Sequence, residues 1–165
     1  MITIRAYQPK DCHEMAALFY DTVHSVNAKD YTKEQLAVWA TKSIPLADWH
    51  QSFLAHYTLV ALENHMIVGF GDIDRTGYLD RLYVHQNHQG KGIATALCDK
   101  LEKAFFVATI TTHASITAKP FFEKRGYQII QVQEVKRRGV KLKHYRMEKS
   151  LIQDKIIENP YGTNG

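Results

Sequence analysis

The chain has 165 residues and a mass of 19.0 kDa, the size of one domain able to bury a proper core. At 45% hydrophobic and 23% charged residues, with no apolar run near the roughly 18 residues of a membrane span, the composition argues against a membrane protein. The net charge of +4 suits anionic small molecules better than nucleic acid, and two cysteines, Cys12 and Cys98, are too few for a disulfide framework or a CxxC metal site.

The N-terminal stretch from Ile2 to Tyr7 alternates as a strand and lacks the order of a signal peptide, so the expected location is the cytoplasm. Asp11 and Glu14 form a capping-box-like start. Behind them Met15, Leu18, Phe19, Thr22, Val23 and Val26 recur at helical spacing and predict one buried face. Thr32 followed by Gln35 opens a shorter helix carrying Leu36, Trp39 and Ala40. A third helical piece is expected from Asp48 to about His56, after Pro45.

From Tyr57 the period changes to two. Tyr57–Glu63, Met66–Asp74 and Tyr78–Val84 predict a three-strand meander with turns at Asn64-His65 and at Arg75-Thr76-Gly77. A helix from about Gly90 to Phe105, a strand Val107–His113, a helix Ser115–Arg125 stopped by Gly126, and a hairpin of Tyr127–Glu134 with Leu142–Lys149 follow. This order predicts a mixed α/β sheet with helices on both faces and a parallel crossover from Tyr78–Val84 to Val107–His113. One domain is expected over residues 1–150, with 151–165 a flexible tail. The basic run Lys136-Arg137-Arg138 beside Gly139 is read as a solvated hairpin turn, and nucleic acid is not expected as a partner. His85 and His88 share a loop without a carboxylate or cysteine at ligand spacing, so no metal is expected.

Between Val84 and the following helix lies His85-Gln86-Asn87-His88-Gln89-Gly90-Lys91-Gly92-Ile93-Ala94. Glycine permits positive φ and close approach, so backbone N–H groups can converge at a helix N-terminus, where the dipole favours an anion and Lys91 adds charge. A pyrophosphate would suit that point; a glycine-assisted turn with tight strand–helix packing is the other reading of these residues. The pattern is not GxxxxGK[ST], and it lacks the last glycine and the early position of a dinucleotide GxGxxG.

The stretch from Leu79 to Ala94, with Gln89, Gly92 and Ala94 in the key places of Q/R-x-x-G-x-G/A, resembles the acetyl-CoA motif of the GNAT superfamily of N-acetyltransferases. The element order is similar, and Ser115 to Tyr127 resembles the family's second motif, N-x-x-A-x-x-F-Y-x-x-x-G-F. The likeness covers roughly residues 1 to 149. It implies a GNAT-like fold, a splayed mixed α/β sheet of about seven strands. It further implies acetyl-CoA as acetyl donor, with Leu82, Tyr83 and Val84 pairing with the pantetheine arm and Gln89, Gly90, Lys91, Gly92, Ile93 and Ala94 holding the pyrophosphate. By the same likeness Ser115 would bond the pantetheine, Phe121 and Phe122 would pack near the thioester, and Lys119 or Lys124 would meet the outer phosphate.

The implied activity is transfer of acetyl to a primary amine of a small molecule or peptide through a direct ternary complex, with a homodimer as the default assembly. Phe122 departs from the family, which has a proton-donating Tyr in that place. A non-catalytic acyl-CoA sensor is therefore the alternative. Tyr78, Asp80 and Leu82 alternate onto one strand face; Tyr78 holds the place of the family's usual general base, and Asp80 is a carboxylate in an otherwise apolar or aromatic run. Asp80 and Tyr78 are thus the catalytic candidates, with His113, Tyr127 and Tyr145 as further proton carriers. Asn27, Asp30, Tyr31 and Trp39 combine polar groups with aromatic walls, a composition that suits either a small-amine site or an ordinary helix corner.

Overall fold

The structure, a computed structural model, describes residues 1–152. Its elements are β1 (Thr3–Ala6), α1 (Cys12–Ser25), α2 (Lys33–Trp39), α3 (Leu46–Ala55), β2 (Tyr57–Glu63), β3 (Met66–Ile73), β4 (Tyr78–Val84), α4 (Ile93–Leu101), β5 (Thr109–Ser115), α5 (Lys119–Lys124), β6 (Gln128–Arg137) and β7 (Val140–Ser150). They form one seven-stranded mixed sheet in the order β1-β2-β3-β4-β5-β7-β6. The pair β4–β5 is parallel, as a crossover through α4 requires, and its neighbours β3–β4 and β5–β7 are antiparallel.

Two cores form because the central strands point successive side chains to opposite faces. On one face Leu59 and Ala61 of β2 pack with Leu97 and Leu101 of α4 and Phe122 of α5. On the other, Val60 and Phe70 pack with Met15, Phe19 and Val23 of α1 and Phe53 of α3. The predicted apolar face of α1 is buried from Met15 to Val23.

Several boundaries differ from expectation for local reasons. The first helix is entered through a short 3₁₀ turn, Pro9–Asp11, whose start is closed when the Gln8 amide donates to Asp11 at 2.8 Å. Glu14 is not a capping partner; it accepts from the Ile67 amide at 2.7 Å and ties α1 to β3. At Thr32 the expected cap does form: the Gln35 amide donates to Thr32 Oγ1 at 3.1 Å, and the Thr32 amide donates to Gln35 Oε1 at 2.9 Å. The helix expected from Gly90 begins only at Ile93, because Gly90 and Gly92 have φ of +73° and +80°, values no α-helical residue takes. The helix expected from Ser115 begins at Lys119, because the Ser115 hydroxyl accepts from the Ala118 amide at 3.0 Å and closes a turn first.

The basic run is mostly strand: Lys136 and Arg137 finish β6, and the turn is Arg138-Gly139, both with positive φ. Leu151 is buried, with its amide donating to Ala108 O at 2.8 Å, so packing reaches that residue. The rest of the expected tail from 153 onward lies outside the described residues.

Candidate active site

β4 and β5 pair only at Tyr78↔Thr111 and Leu79↔Thr112, so beyond Asp80 the two strands diverge. A slot of about 200 Å³ lies in that splay, with Leu82, Tyr83 and Val84 on one side and Ala114 and Ser115 on the other. Gln89, Ala94 and Phe122 also line it. The splay leaves β4 facing an empty strand position, which an extended polar chain can fill by main-chain hydrogen bonding.

At the outer end of β4 the Gln89 side chain donates to the Val84 carbonyl at 2.6 Å and pins the loop to the strand. Gly90 and Gly92 follow in the left-handed region, and a Cβ built on either would meet nothing within 4 Å. The open space lies directly before the first turn of α4, whose unpaired amides begin at Ile93. Lys91 is exposed between the glycines, while the Ile93 side chain turns inward to the core. The combination of open backbone, helix N-terminus and lysine fits an anionic group such as a pyrophosphate. Lys119, by contrast, is engaged with Glu123 at 3.0 Å and lies over the Tyr145 ring.

A second cavity, of about 640 Å³, opens beside the slot. Tyr31, Trp39 and Trp49 supply aromatic wall, and Tyr78, Asp80 and His113 supply polar groups. Trp39, Asp80, Tyr83, His113 and Ser115 border both spaces, so Asp80 stands at the seam. Its carboxyl lies 3.6 Å from the Arg81 guanidinium. Burial pushes the Asp80 carboxyl above its ordinary range, and the nearby Asp72 charge adds to that, against the opposing pull of Arg81 and His56.

Tyr78 Oη is 3.4 Å from His113 Nδ1, and the His113 ring stacks on His144 with centroids 5.0 Å apart. Burial pushes the Tyr78 phenol up to about 12, with Asp80 adding to the effect, so it is protonated at neutral pH and cannot serve as a base.

Beneath Asp80 lies a network that sequence reading missed. Asp72 on β3 is fully buried and accepts from the Arg81 amide at 2.9 Å, from Arg81 Nη1 at 2.6 Å and from His56 Nδ1 at 2.8 Å. Arg81 is held between the Trp49 and Phe53 rings, about 5 Å from each. His56, Asp72 and Asp80 offer ligand-type atoms within 4.8 Å of one another, and the two carboxylates already share the Arg81 guanidinium. Nothing in the spacing of residues 56, 72 and 81 announces this cluster; the β3–β4 register, Asp72↔Arg81, brings the pair together, and His56 reaches it from the end of α3.

The remaining candidates divide clearly. Asn27 reaches the slot, its side-chain amide 3.5 Å from the Ser115 hydroxyl. Asp30 instead accepts from Thr117 at 2.7 Å, and the Tyr31 hydroxyl is spent on Lys143 O and the Ile116 amide. The Tyr127 hydroxyl donates to Glu102 at 2.7 Å on the far side of α4, where Arg125 and Lys149 also bind that carboxylate. Phe122 is buried among Phe121 and Tyr127 and offers no proton. Thr22 lines the slot, and among the described residues its hydroxyl is buried and has no hydrogen-bond partner. The sequence displays Thr22 only as one more residue of the buried face of α1.

Residues 27–150 match the family model for the acetyltransferase (GNAT) domain. The chain belongs to the GNAT acetyltransferases. It is 35% identical to the N-acetyltransferase YafP of Escherichia coli K12 over 147 residues, which is 88% of this chain and 94% of that one. A GCN5-related N-acetyltransferase structure from Rhodopseudomonas palustris superposes with a TM-score of 0.85 at 34% identity, covering 90% of this chain and 95% of that one. The PaiA N-acetyltransferase of Thermoplasma acidophilum, solved in complex with coenzyme A, has the same fold at a TM-score of 0.74 and 17% identity, with 91% and 99% covered. The splayed sheet and the glycine loop are thus those of a GNAT acetyltransferase, an enzyme class that draws its acetyl group from acetyl-CoA.

Proposed function

We propose that this GNAT acetyltransferase binds acetyl-CoA in the β4–β5 slot and passes the acetyl group directly to a primary amine held in the larger cavity. The observation that carries this reading is the seam: Asp80 is a carboxylate that borders both spaces, where a thioester carbonyl and an amine can meet. Main-chain groups of Leu82, Tyr83 and Val84 take the pantetheine arm. The amides from Gln89 to Ala94, with Lys91, take the pyrophosphate. Ser115 and Asn27 close the opposite side, and Phe122 packs behind the thioester. Lys119 meets the outer phosphate only by leaving Glu123.

In the reaction the Asp80 carboxylate accepts the proton of the incoming ammonium, the amine nitrogen bonds to the thioester carbonyl carbon, and the carbon–sulfur bond breaks. As the tetrahedral intermediate collapses, the attacking nitrogen sheds its second proton, and that proton passes to the departing thiolate to give coenzyme A. Phe122 cannot relay it, and we assign the unpartnered Thr22 hydroxyl, on the slot wall, as a donor that stabilises the leaving sulfur by a hydrogen bond once its side chain turns to the slot. Tyr78, protonated and beside His113, orients that imidazole at the seam rather than acting as base. The buried free thiols Cys12 and Cys98 take no covalent part, which agrees with a direct transfer and a reducing, cytoplasmic setting. A homodimer completes the proposal, with the apolar exposed side chains Ile129, Ile130 and Val132 of the edge strand β6 as its surface.

Calorimetric titration with acetyl-CoA, followed by thiol release with a panel of amines, tests the reading. Binding together with release on some amine is expected. Binding without release on any of them would replace the enzyme with an acyl-CoA sensor.

A further inference from the structure

We propose that the acceptor is an amine that also carries an anionic group, a carboxylate in the simplest case, set apart from the amine by an apolar body. The inference rests on reading the larger cavity as the acceptor site. That cavity, about 640 Å³, has the size of a small-molecule pocket, and its charge is one-sided. Asp80 is the one carboxylate among its lining residues, and it already lies beside Arg81. Arg137 and Arg138 enter from the β6–β7 hairpin, and among the described residues neither has a carboxylate within ion-pair distance.

The hairpin register explains how Arg137 comes to border the cavity; Arg138 follows it in the turn, and both keep solvent exposure. Val135 pairs with Leu142 and Gln133 with His144, so Val135 and Arg137 on β6 share a face with Leu142 and His144 on β7. That face turns to the cavity and presents an apolar rung, Val135 and Leu142, between a histidine and an arginine. Burial, the neighbouring His113 and Arg137 all favour the neutral form of His144, so the imidazole adds no charge and the guanidinium is close enough to be felt there. Trp39 and Trp49 wall the cavity with aromatic surface.

This arrangement fits one kind of acceptor. A polycation such as a polyamine would bring further positive charge to a cavity already positive, whereas a carboxylate can take the paired N–H donors of a guanidinium fork. The same positive field favours loss of a proton from the substrate ammonium, and the free amine is the form that attacks the thioester. Recognition of the anion and activation of the nucleophile therefore come from the same charges.

The two tryptophans of the chain both line this cavity, so intrinsic fluorescence reports on its occupancy directly. The probes are 4-(aminomethyl)benzoate, benzylamine and spermidine, titrated into the full chain with coenzyme A present. The carboxylated amine is expected to bind about tenfold tighter than benzylamine, and spermidine weakest. An Arg137→Gln, Arg138→Gln double variant is expected to lose that preference, with acetyl-CoA binding as in the unaltered chain. Equal or tighter binding of benzylamine or spermidine by the unaltered chain would overturn the inference, as would a preference that survives in the double variant. Thiol release from acetyl-CoA is followed on the same samples. A carboxylated amine that binds selectively and is not acetylated would sink the transfer reaction at Asp80 and leave the charge preference standing.

Discussion

The β4–β5 slot and the larger cavity beside it share five residues yet are built on opposite principles. The slot is a backbone site: diverging strands, a loop pinned by Gln89 and two left-handed glycines before a helix. The cavity is a side-chain site, assembled chiefly from α2, α3, β4 and the β6–β7 hairpin. A backbone site can hold one invariant ligand in many proteins with different side chains. A side-chain site must be rebuilt for each acceptor, so its chemistry is specific to this chain.

The largest expected effect breaks the backbone site. In a Gly90→Asp, Gly92→Asp double variant each position gains a side chain in the left-handed region and a negative charge at the proposed pyrophosphate site. Nothing lies within 4 Å of either Cβ, so the fold meets no clash and the circular dichroism spectrum is expected to persist. Acetyl-CoA affinity is expected to fall by about 100-fold or more by calorimetry. Affinity within about threefold of the unaltered chain would show that the phosphates bind elsewhere.

That same contrast decides what the sequence discloses. Gly90, Lys91 and Gly92 announce a glycine-demanding turn before a helix, the feature on which the proposed phosphate site rests, because positive φ and open backbone demand glycine at fixed spacing, and the strands before and after alternate plainly. The cavity gives no such signal. Asp72 and Arg81 are nine residues apart and meet through a hairpin register; His56 joins them from the end of α3, and Arg137 borders the cavity only because of how β6 pairs with β7. Thr22 sits in an apolar helical face where a threonine resembles any small buried residue, and its unmet hydroxyl is visible only when the slot is assembled. Asp80 lies between these cases: the strand alternation shows its face, and the structure shows its place at the seam.

Asp80→Asn tests the shared boundary. The rate of acetyl transfer is expected to fall by about 10²- to 10⁴-fold with acetyl-CoA affinity unchanged, because the substitution removes a base and leaves the slot intact. Activity of the unaltered enzyme is expected to rise with pH through a limb above the ordinary carboxyl range, since the free carboxylate is the active form and burial raises its pKa. The limb should vanish in the variant. A carboxyl whose pKa is raised in the fold weakens the fold as pH rises through it, so the variant is also expected to melt at a higher temperature at neutral pH. A pH limb unchanged by the substitution would assign the base elsewhere.

Thr22→Val separates function from stability within the donor slot. Valine keeps the shape of threonine and removes a buried hydroxyl that has no partner, and an unmet group of this kind costs about 1–3 kcal/mol. Thermal stability of the ligand-free chain is therefore expected to rise, by up to several degrees. Turnover is expected to fall about tenfold, the loss of one neutral hydrogen bond in the transition state. A variant as active as the original would leave the leaving thiolate to a water molecule.

The smallest effect sharpens the network under the seam. His56 donates to the buried Asp72 carboxylate, and this bond holds the imidazole pKa above its ordinary value against the opposing effect of burial. A histidine whose pKa is raised on folding stabilises fully below its unfolded value of about 6.5, and that stabilisation declines as pH rises through the folded value. In the pH range just above 6.5 the unaltered chain should thus lose stability with a slope that His56→Gln lacks. Glutamine can still donate one hydrogen bond to Asp72 but carries no proton to titrate. The expected difference between the two at low pH is about 1 kcal/mol, or about 2–4 °C in Tm for a chain of this length. Parallel melting curves for the two proteins across that range would show instead that Arg81 alone balances Asp72, and that His56 is a neutral donor at the edge of the pair.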